Sequence, residues 1–320
     1  MDNRPLIETK NLKQYFKVSQ GLLHAVDDVN LKIYKGKTLG VVGESGCGKS
    51  TLGRTILQLL KPTSGDVLYE GKSIVGLKGK QLQEMRKNMQ IIFQDPYSSL
   101  DPRMTVFELI AENMIVNKTY PTKQEIYNKT AELMDTVGLA RRLAPAYPPE
   151  LDGGRRQRIG VARALALNPK FIVCDEPVSA LDVSIQAQVL NLLMDLQDDL
   201  GLSYLFITHD LSVVRHISDE IAVMYLGQCV EKAPSQELFD NPTHPYTKAL
   251  LSAIPEPTIE MRHKEIEVIK GEITSPVNPK PGCRFAARCP LACEKCFTDN
   301  PVFDNMGNEH YCACHVVNPR

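Results

Sequence analysis

The sequence predicts an α/β fold with a mainly parallel central sheet, an antiparallel β subdomain, a helical subdomain and a small cysteine-rich C-terminal extension. Three observations lead to this prediction. Short apolar runs alternate with helical segments through the middle of the chain, as in parallel sheets covered by helices. The first segments alternate apolar and polar residues instead. Most of the nine cysteines crowd into the last forty or so residues.

The elements follow one another in a clear order. The segments LIETKNLKQYF and HAVDDVNLKIYKG alternate around turn signals, which predicts antiparallel strands. TLGVVG is a short apolar run ending in glycine, which predicts a buried parallel strand. From about Asp101 to Leu143 the periodicity becomes helical, as in VFELIAENMIV and KQEIYNKTAELMDTVGL. We therefore place a helical subdomain at about residues 101–165.

The second half of the chain alternates helices and strands again. A helical GVARALAL precedes the apolar strand in FIVCDEP, and the helix IQAQVLNLLMDLQDDLG leads to the strand SYLFITHD. From about Pro255 proline, glycine and cysteine become more frequent and the periodicity fades. The sequence thus predicts one domain over residues 1–255 and an extension over residues 256–320.

Composition narrows the class of protein. The formal net charge of −1 provides no general basic field, so nucleic acid is not an expected partner. No apolar run approaches the roughly 20 residues of a membrane-spanning helix. The N-terminal MDNRPLIETKNLKQ has no apolar stretch suited to a signal peptide. We expect a cytoplasmic chain that reaches a membrane only through a partner.

A phosphate-binding loop is the strongest local motif. GESGCGKS fits G-x-x-x-x-G-K-[ST] and lies between a predicted strand and the helix STLGRTILQLL, which is the context that this motif requires. Its glycines allow backbone N–H groups to face phosphates, Lys49 would reach the β- and γ-phosphates, and Ser50 would bind Mg²⁺. The alternative is a glycine-rich turn that binds nothing. The candidate ATP-binding residues here are Gly43, Glu44, Ser45, Gly46, Cys47, Gly48, Lys49, Ser50 and Thr51.

Two adjacent carboxylates end the strand in FIVCDEP. Asp175 would hold Mg²⁺ through water, and Glu176 would orient or deprotonate the attacking water. Adjacent acidic residues at a strand end could instead be solvated loop charges. The four apolar residues before them and the phosphate-binding loop upstream favour the catalytic interpretation.

These motifs together resemble those of ABC transporter ATPases, a P-loop NTPase family. GESGCGKST, IIFQDP, LDGGRRQR, CDEP, SALD and ITHD occur in the order and spacing of that family over about residues 5–255. The resemblance implies roles for individual positions. Gln94 would be a catalytic lid residue that senses Mg²⁺ and couples to the membrane subunit. Glu176 would be the catalytic base, and His209 a switch histidine that contacts the γ-phosphate.

The resemblance also implies residues that bind nucleotide or communicate between subunits. Asp182, in SALD, would communicate across a dimer of cassettes. Tyr15 would stack on the adenine, with Phe16 as the alternative. The expected Mg²⁺ ligands are Ser50, Gln94 and Asp175.

The signature loop departs from the family pattern. It normally reads S-G-G-Q, and it closes over the ATP held by the other subunit. Here it reads Asp152, Gly153, Gly154 and Arg155. Aspartate caps a helix as well as serine does, so the fold should be kept. A carboxylate ~4 Å from one phosphate charge costs about 4 kcal/mol at an effective dielectric constant near ~20, however. The substitution favours an asymmetric dimer, in which this loop completes a weak site on the partner.

Three further segments resemble the ATPases of oligopeptide and dipeptide importers. They are FQDPYSSLDPRMTV, NPTHPYTKALLSAIP and GCRFAARCPLACEKC. That family also includes importers of nickel and of some sugars or opines. The resemblance implies a heterodimer with another ATPase, two integral membrane permease subunits and an extracytoplasmic substrate-binding protein, at the cytoplasmic face of the membrane. The chain looks like the second ATPase of the pair.

The cysteine-rich extension resembles tails that carry a 4Fe–4S cluster. Cys283, Cys289, Cys296 and Cys314 are the implied ligands, and four thiolates suit either such a cluster or a tetrahedral zinc. The spacing of these four lacks the tight C-x2-C pairs usual for zinc, which favours iron–sulfur, although Cys293 and Cys296 form one C-x2-C pair. Cys293 and Cys312 leave the choice of ligands open, and an unligated, reduced tail is the remaining alternative.

Other functions fit the sequence less well. Soluble ABC proteins of the ribosome typically carry two cassettes, whereas this chain has a single phosphate-binding loop. DNA-repair relatives insert long coiled coils between that loop and the signature, and the segment here leaves room only for a helical subdomain. A regulatory cassette without ATPase chemistry is disfavoured by Lys49, Asp175, Glu176 and His209, although Asp152 keeps a weaker form of it open.

Overall fold

A computed structural model of the chain describes residues 4–179, 181–254, 271 and 274–317. The predicted boundary near Pro255 lies outside the described residues. The strands are β1 (Ile7–Val18), β2 (Gly21–Val29), β3 (Lys32–Ile33), β4 (Thr38–Val42), β5 (Ser64–Tyr69), β6 (Lys72–Ser73), β7 (Met89–Ile92), β8 (Phe171–Asp175), β9 (Ser203–Ile207), β10 (Glu220–Tyr225), β11 (Gln228–Pro234), β12 (Asp304–Asn305) and β13 (Tyr311–Cys312).

The helices separate these strands in the alternating order that the sequence predicts. They are α1 (Lys49–Ile56), α2 (Gly79–Asn88), α3 (Pro96–Ser99), α4 (Val106–Val116), α5 (Lys123–Thr136), α6 (Gly153–Leu165), α7 (Val183–Leu200), α8 (Leu211–Ile217), α9 (Ser235–Asp240), α10 (Pro245–Ser252) and α11 (Lys295–Thr298). Short 3₁₀ turns lie at Arg141–Leu143, Pro148–Glu150 and Ala286–Arg288. In the part of the chain that the structure describes, no helix has the length and apolar character needed to cross a membrane.

The chain divides into two compact units, and the first comprises the described residues before 34, residues 38–75 and those from 208 onward. In this unit β1 pairs antiparallel with β2, β3 and β5, which confirms the predicted antiparallel subdomain. β4 is buried at every position and pairs parallel with β10. Apolar side chains on both faces of β4 are buried, as expected for a central parallel strand.

The second unit comprises residues 34–37 and 76–207. In it β8 pairs parallel with both β7 and β9, and β8 and β9 are buried throughout. The helical region predicted at about residues 101–165 contains α4, α5 and α6. α4 and α5 each begin with a capping box, formed by Thr105 with Glu108 and by Thr122 with Glu125. These reciprocal bonds explain why both helices start where they do.

The cysteine-rich extension is joined to the first unit by strand pairing. β13 adds antiparallel to β11, with Cys312 opposite Glu231, and β12 pairs with β13. Farther upstream in the extension, Val277 forms an antiparallel bridge with Leu23 of β2. No sequence pattern predicts this pairing, because two-residue strands are too short to show alternation of apolar and polar residues.

Candidate nucleotide-binding site

The phosphate-binding loop connects β4 to α1 within the first unit, and its glycines are required by space as well as by conformation. Gly43 has φ +151°, and a Cβ there would lie 2.1 Å from the carbonyl oxygen of Met224. Gly48 has φ +107°, and its Cβ would lie 1.9 Å from the carbonyl oxygen of Ala25. Any larger residue at either position would collide with backbone, so the loop can take this path only with glycine.

Lys49 lies inside the curve of the loop. Its side chain is almost fully buried, and its ammonium donates to the carbonyl oxygens of Gly43, at 2.8 Å, and Glu44, at 3.0 Å. Gly46 has open space beside its Cα, since a Cβ there would meet no atom within 4 Å. A buried cation next to an open glycine-rich turn fits the phosphates of ATP, which the loop would bind at the start of α1.

The remaining loop residues occupy the positions that the motif predicts. Ser45 and Gly46 form the outer turn, and Ser50 and Thr51 lie in the first turn of α1. The thiol of Cys47 is buried, and burial raises its pKa, so it behaves as a small apolar group.

Tyr15 lies on β1 and stacks on His24, with ring centroids 3.9 Å apart and planes at 19°. Its hydroxyl donates to Asp27, which His24 also contacts at 3.2 Å. Burial, and then the bond to Asp27, raises the pKa of Tyr15. One face of the Tyr15 ring thus packs on His24. Stacking of Tyr15 on the adenine remains a prediction, and Phe16 remains the alternative.

His209 also belongs to the first unit, and it is exposed in the turn that follows β9. The next residue, Asp210, caps α8 by accepting from the backbone N–H of Ser212 at 2.8 Å. The turn is thus fixed by a helix cap, and the His209 side chain lies at its surface.

The second unit brings two predicted catalytic residues together. The side-chain amide of Gln94 donates to the carboxylate of Glu176 at 2.9 Å. Glu176 has φ +47°, a left-handed conformation that is uncommon outside glycine and often occurs at functional sites. Asp175 is 1% exposed at the end of β8, and Asp182 occupies the N-cap position of α7.

The signature loop forms the cap that the sequence predicts. Asp152 is the N-cap of α6 and accepts from the backbone N–H of Arg155 at 2.8 Å. The Arg155 guanidinium lies 3.4 Å from the same carboxylate, but both side chains are about half exposed, so this pair offsets little of the charge. At Gly154 a Cβ would lie 2.6 Å from the side chain of Ile185, and at Gly153 it would lie 3.1 Å from that of Leu181.

Within the first unit, the extension contacts the phosphate-binding loop and strand β2, and no sequence pattern predicts these contacts. Arg288 binds the carboxylate of Glu44 in the phosphate-binding loop, at 3.0 Å, and Arg284 pairs with Asp27. The hydroxyl of Tyr246 accepts from the backbone N–H of Glu44 at 3.0 Å. Long-range ion pairs leave no periodic trace in a sequence, so no pattern marks these residues.

The four predicted cysteine ligands lie near one another in the extension. Burial first, and then the nearby thiols of Cys296, Cys314 and Cys289, raise the pKa of Cys283 to about 11. Cys293 lies with its sulfur 3.5 Å from that of Cys296. Within the described ranges, however, no group of three or more His, Cys, Asp or Glu side chains is arranged to hold a metal ion. The structure thus gives no support to the metal site predicted at these cysteines.

A glycine loop closed around a buried lysine, followed by a helix, defines a P-loop nucleotide-binding protein. Comparison of the sequence with known protein families narrows this class further. The ABC transporter family matches residues 26–179, and the family described as "Oligopeptide/dipeptide transporter, C-terminal region" matches residues 230–296. The second match includes Arg288, which contacts Glu44 of the phosphate-binding loop, and Arg284.

Curated relatives match over nearly the whole chain. The oligopeptide transport ATP-binding protein OppF of Salmonella typhimurium is 49% identical over 98% of this chain and 97% of that protein. The dipeptide transport ATP-binding protein DppF of Haemophilus influenzae is 47% identical over 99% of this chain and 98% of that protein. A solved dimeric ATP-binding cassette, MJ0796 bound to ADP and Pi, has a TM-score of 0.65 and 30% identity, covering 72% of this chain and 98% of that one. The chain belongs to the family of ABC transporter ATPases, on the branch of oligopeptide and dipeptide transport ATP-binding subunits.

Proposed function

We propose that this chain hydrolyses ATP to power the import of oligopeptides or dipeptides, as a peripheral subunit on the cytoplasmic face of a membrane transporter. One observation carries the proposal: a P-loop cassette continues into a C-terminal region that matches the oligopeptide/dipeptide transporter family over residues 230–296. The named functions of OppF and DppF support the same substrate class.

The nucleotide-binding roles proposed here come from the motifs and from the resemblance to ABC transporter ATPases. The backbone of Gly43–Thr51 and the ammonium of Lys49 would bind the phosphates. Ser50, Gln94 and Asp175 would hold Mg²⁺, which neutralises phosphate charge when bound. Tyr15 would stack on the adenine.

Hydrolysis is phosphoryl transfer to water. The water oxygen forms a bond to the γ-phosphorus while the bond between that phosphorus and the β,γ-bridging oxygen breaks, leaving ADP and phosphate. Glu176 would accept the proton of the water, Gln94 would orient that carboxylate, and His209 would donate to the γ-phosphate.

We further propose that the working unit is a heterodimer of this chain with a second ATPase, bound to two permease subunits and served by a substrate-binding protein. The signature residues Asp152, Gly153 and Gly154 would face the ATP held by the partner, and Asp182 would communicate across the dimer. Because Asp152 places a carboxylate in a loop that must approach phosphate, the partner's site would be the weaker one.

The central test is purification of the membrane complex and measurement of peptide-stimulated ATP hydrolysis in vesicles. We expect permease subunits to co-purify and Lys49→Ala to remove the stimulation. A chain that hydrolyses ATP but retains no permease subunit would contradict the import function and favour a cassette not coupled to transport.

The asymmetry has a separate test in the assembled transporter. Glu176→Gln should reduce turnover to a few per cent of wild type, because the productive site is the one that contains this chain's phosphate-binding loop. Turnover close to wild type would contradict the asymmetry. Asp152→Ser is the companion variant and should raise ATP affinity at the weaker site.

The 4Fe–4S cluster on Cys283, Cys289, Cys296 and Cys314 also remains our proposal, supported by the donor chemistry of four neighbouring thiols. Anaerobically purified protein should absorb near ~400 nm and contain iron. Cys296→Ser, at a buried thiol, should lose the iron, whereas Cys293→Ser, at an exposed one, should keep it. Colourless protein with stoichiometric zinc would contradict the cluster, and protein with neither metal would support an unligated tail.

A further inference from the structure

The phosphate-binding loop carries a negative charge of its own. Glu44 is the second residue of the loop, and its carboxylate lies within a segment that would bind a polyanion. An unpaired carboxylate there would repel the phosphates, since the repulsion between like charges is stronger where little water screens it. Binding of ATP at this loop therefore requires that the Glu44 charge be offset.

The compensating charge comes from the C-terminal extension. One terminal nitrogen of Arg288 reaches both carboxylate oxygens of Glu44, at 3.1 and 3.0 Å. The same nitrogen donates to the hydroxyl of Tyr225 at 3.2 Å. The Arg288 side chain is 8% exposed and that of Glu44 is 23% exposed, so solvent screens this pair less than an ordinary surface pair.

The segment that carries Arg288 is fixed in place by packing. Phe285, in the turn just before it, is 1% exposed and packs edge to face on Tyr225, with ring centroids 5.3 Å apart. Tyr246 joins this aromatic group and holds the backbone of Glu44 through its hydroxyl. The extension and the phosphate-binding loop therefore contact the same aromatic group.

We infer that Arg288 is a positioning residue of the nucleotide-binding site, which neutralises Glu44 so that the phosphate-binding loop can accept ATP. The inference rests on the proposed function. The extension would then affect nucleotide affinity, because its residue Arg288 offsets the negative charge of Glu44 in the loop. Arg288 acts through Glu44 and does not itself bind the phosphates.

A double-mutant comparison on the full-length chain tests this inference, with MgATP affinity as the measurement. Arg288→Met leaves Glu44 uncompensated and should weaken binding about tenfold. Glu44→Gln removes the repulsion while the Arg288 charge remains, and it should bind MgATP more tightly than wild type. The double variant should recover to within about twofold of wild type, because the charge that needed compensation is gone.

Salt dependence and control variants separate charge from packing. The defect of Arg288→Met should shrink between ~50 and ~500 mM KCl, since salt screens the repulsion. Arg288→Lys should retain most of the affinity. Arg141→Met, which breaks the exposed Arg141–Asp135 pair in the other unit, should bind like wild type. If Arg288→Met does not fold, Arg288→Gln enters the same comparison, because it keeps a donor for Tyr225.

Three results would overturn the inference. They are wild-type affinity in Arg288→Met, a double variant as weak as Arg288→Met, and a defect that salt does not change. The second would assign Arg288 a purely structural role. A wild-type chain that fails to bind MgATP would overturn the proposed function and this inference with it, whereas the other results leave the proposed function intact.

Discussion

The side-chain amide of Gln94 donates a hydrogen bond to the carboxylate of Glu176, 2.9 Å away. One residue comes shortly after strand β7 and the other directly follows β8, its parallel neighbour in the sheet. Because carboxyl ends of parallel strands meet at one edge of a sheet, sequence positions 82 residues apart become direct partners. The amide fixes the orientation of the carboxylate that we propose as the catalytic base.

Removing the amide tests that role. Gln94→Ala should slow ATP hydrolysis by roughly tenfold to a hundredfold and weaken MgATP binding by a smaller factor, because the base loses its orientation and one proposed Mg²⁺ ligand is lost as well. Steady-state hydrolysis and equilibrium binding measure the two quantities. Gln90→Ala, in β7 itself, is the matched control and should behave as wild type. Hydrolysis within twofold of wild type in Gln94→Ala would refute the positioning role.

The buried ammonium of Lys49 is expected to carry much of the phosphate binding. Lys49→Ala should weaken MgATP binding by at least ~30-fold, since a charge-assisted contact with a desolvated phosphate is lost. Fluorescent-nucleotide titration measures the effect. Lys129→Ala removes a lysine paired with Glu132 on α5, away from the phosphate-binding loop in sequence, and should leave affinity unchanged. Affinity within threefold of wild type in Lys49→Ala would show that the loop binds phosphate without its lysine.

Alanine variants of Gly48 and Gly46 distinguish the effect of a steric clash from that of backbone strain. Both have positive φ, at +107° and +77°, but only a Cβ at position 48 would collide with backbone. Gly48→Ala should lower the free energy of unfolding by more than ~3 kcal/mol, and Gly46→Ala by about 1 kcal/mol, the ordinary strain of alanine in that region. Urea denaturation measures both. Equal losses would show that the loop relaxes around the added methyl at residue 48.

A buried histidine near the extension should make stability depend on pH. Burial lowers the pKa of His244 from 6.5 to about 4, so the folded chain keeps it neutral while the unfolded chain protonates it. Its contribution to stability is fully present above pH 6.5 and is lost as pH falls towards 4. Between pH 7 and 5 the loss should be about 2 kcal/mol.

His244→Asn isolates this contribution. Asparagine keeps an acceptor for the backbone N–H of Tyr246, which His244 caps at 3.1 Å, but does not titrate. Denaturation of both chains from pH 7.5 to 5 should show the wild type losing stability faster on acidification. Parallel pH profiles would mean that His244 is solvated in the native state.

Most of the fold could be predicted from the local pattern of apolar and polar residues. Buried strands such as TLGVVG and FIVCDEP were predictable because a strand covered on both faces is continuously apolar. The order of motifs from Gly43 to His209 is the basis of the nucleotide-binding roles, which remain predictions. The cap at Asp152 was predictable from residue type alone, and the structure confirms it.

What could not be predicted depends on contacts between distant segments. Arg288 and Glu44 are 244 positions apart, and nothing in either local sequence marks the other. The stacking of Tyr15 on His24 likewise depends on the register of β1 with β2. For the cysteines, spacing predicted a metal site, but metal coordination requires sulfur atoms in one defined geometry, which spacing does not determine.

The strand pairing between β13 and β11 has a practical meaning for protein engineering. The extension looks dispensable by composition, yet its removal would expose the hydrogen-bonding edge of β11 and uncover Cys229 and Val230, which are now buried. Open edges of this kind recruit strands from other molecules, so a cassette shortened before residue 274 should self-associate. Length changes are better made in surface loops, where no sheet has to be closed.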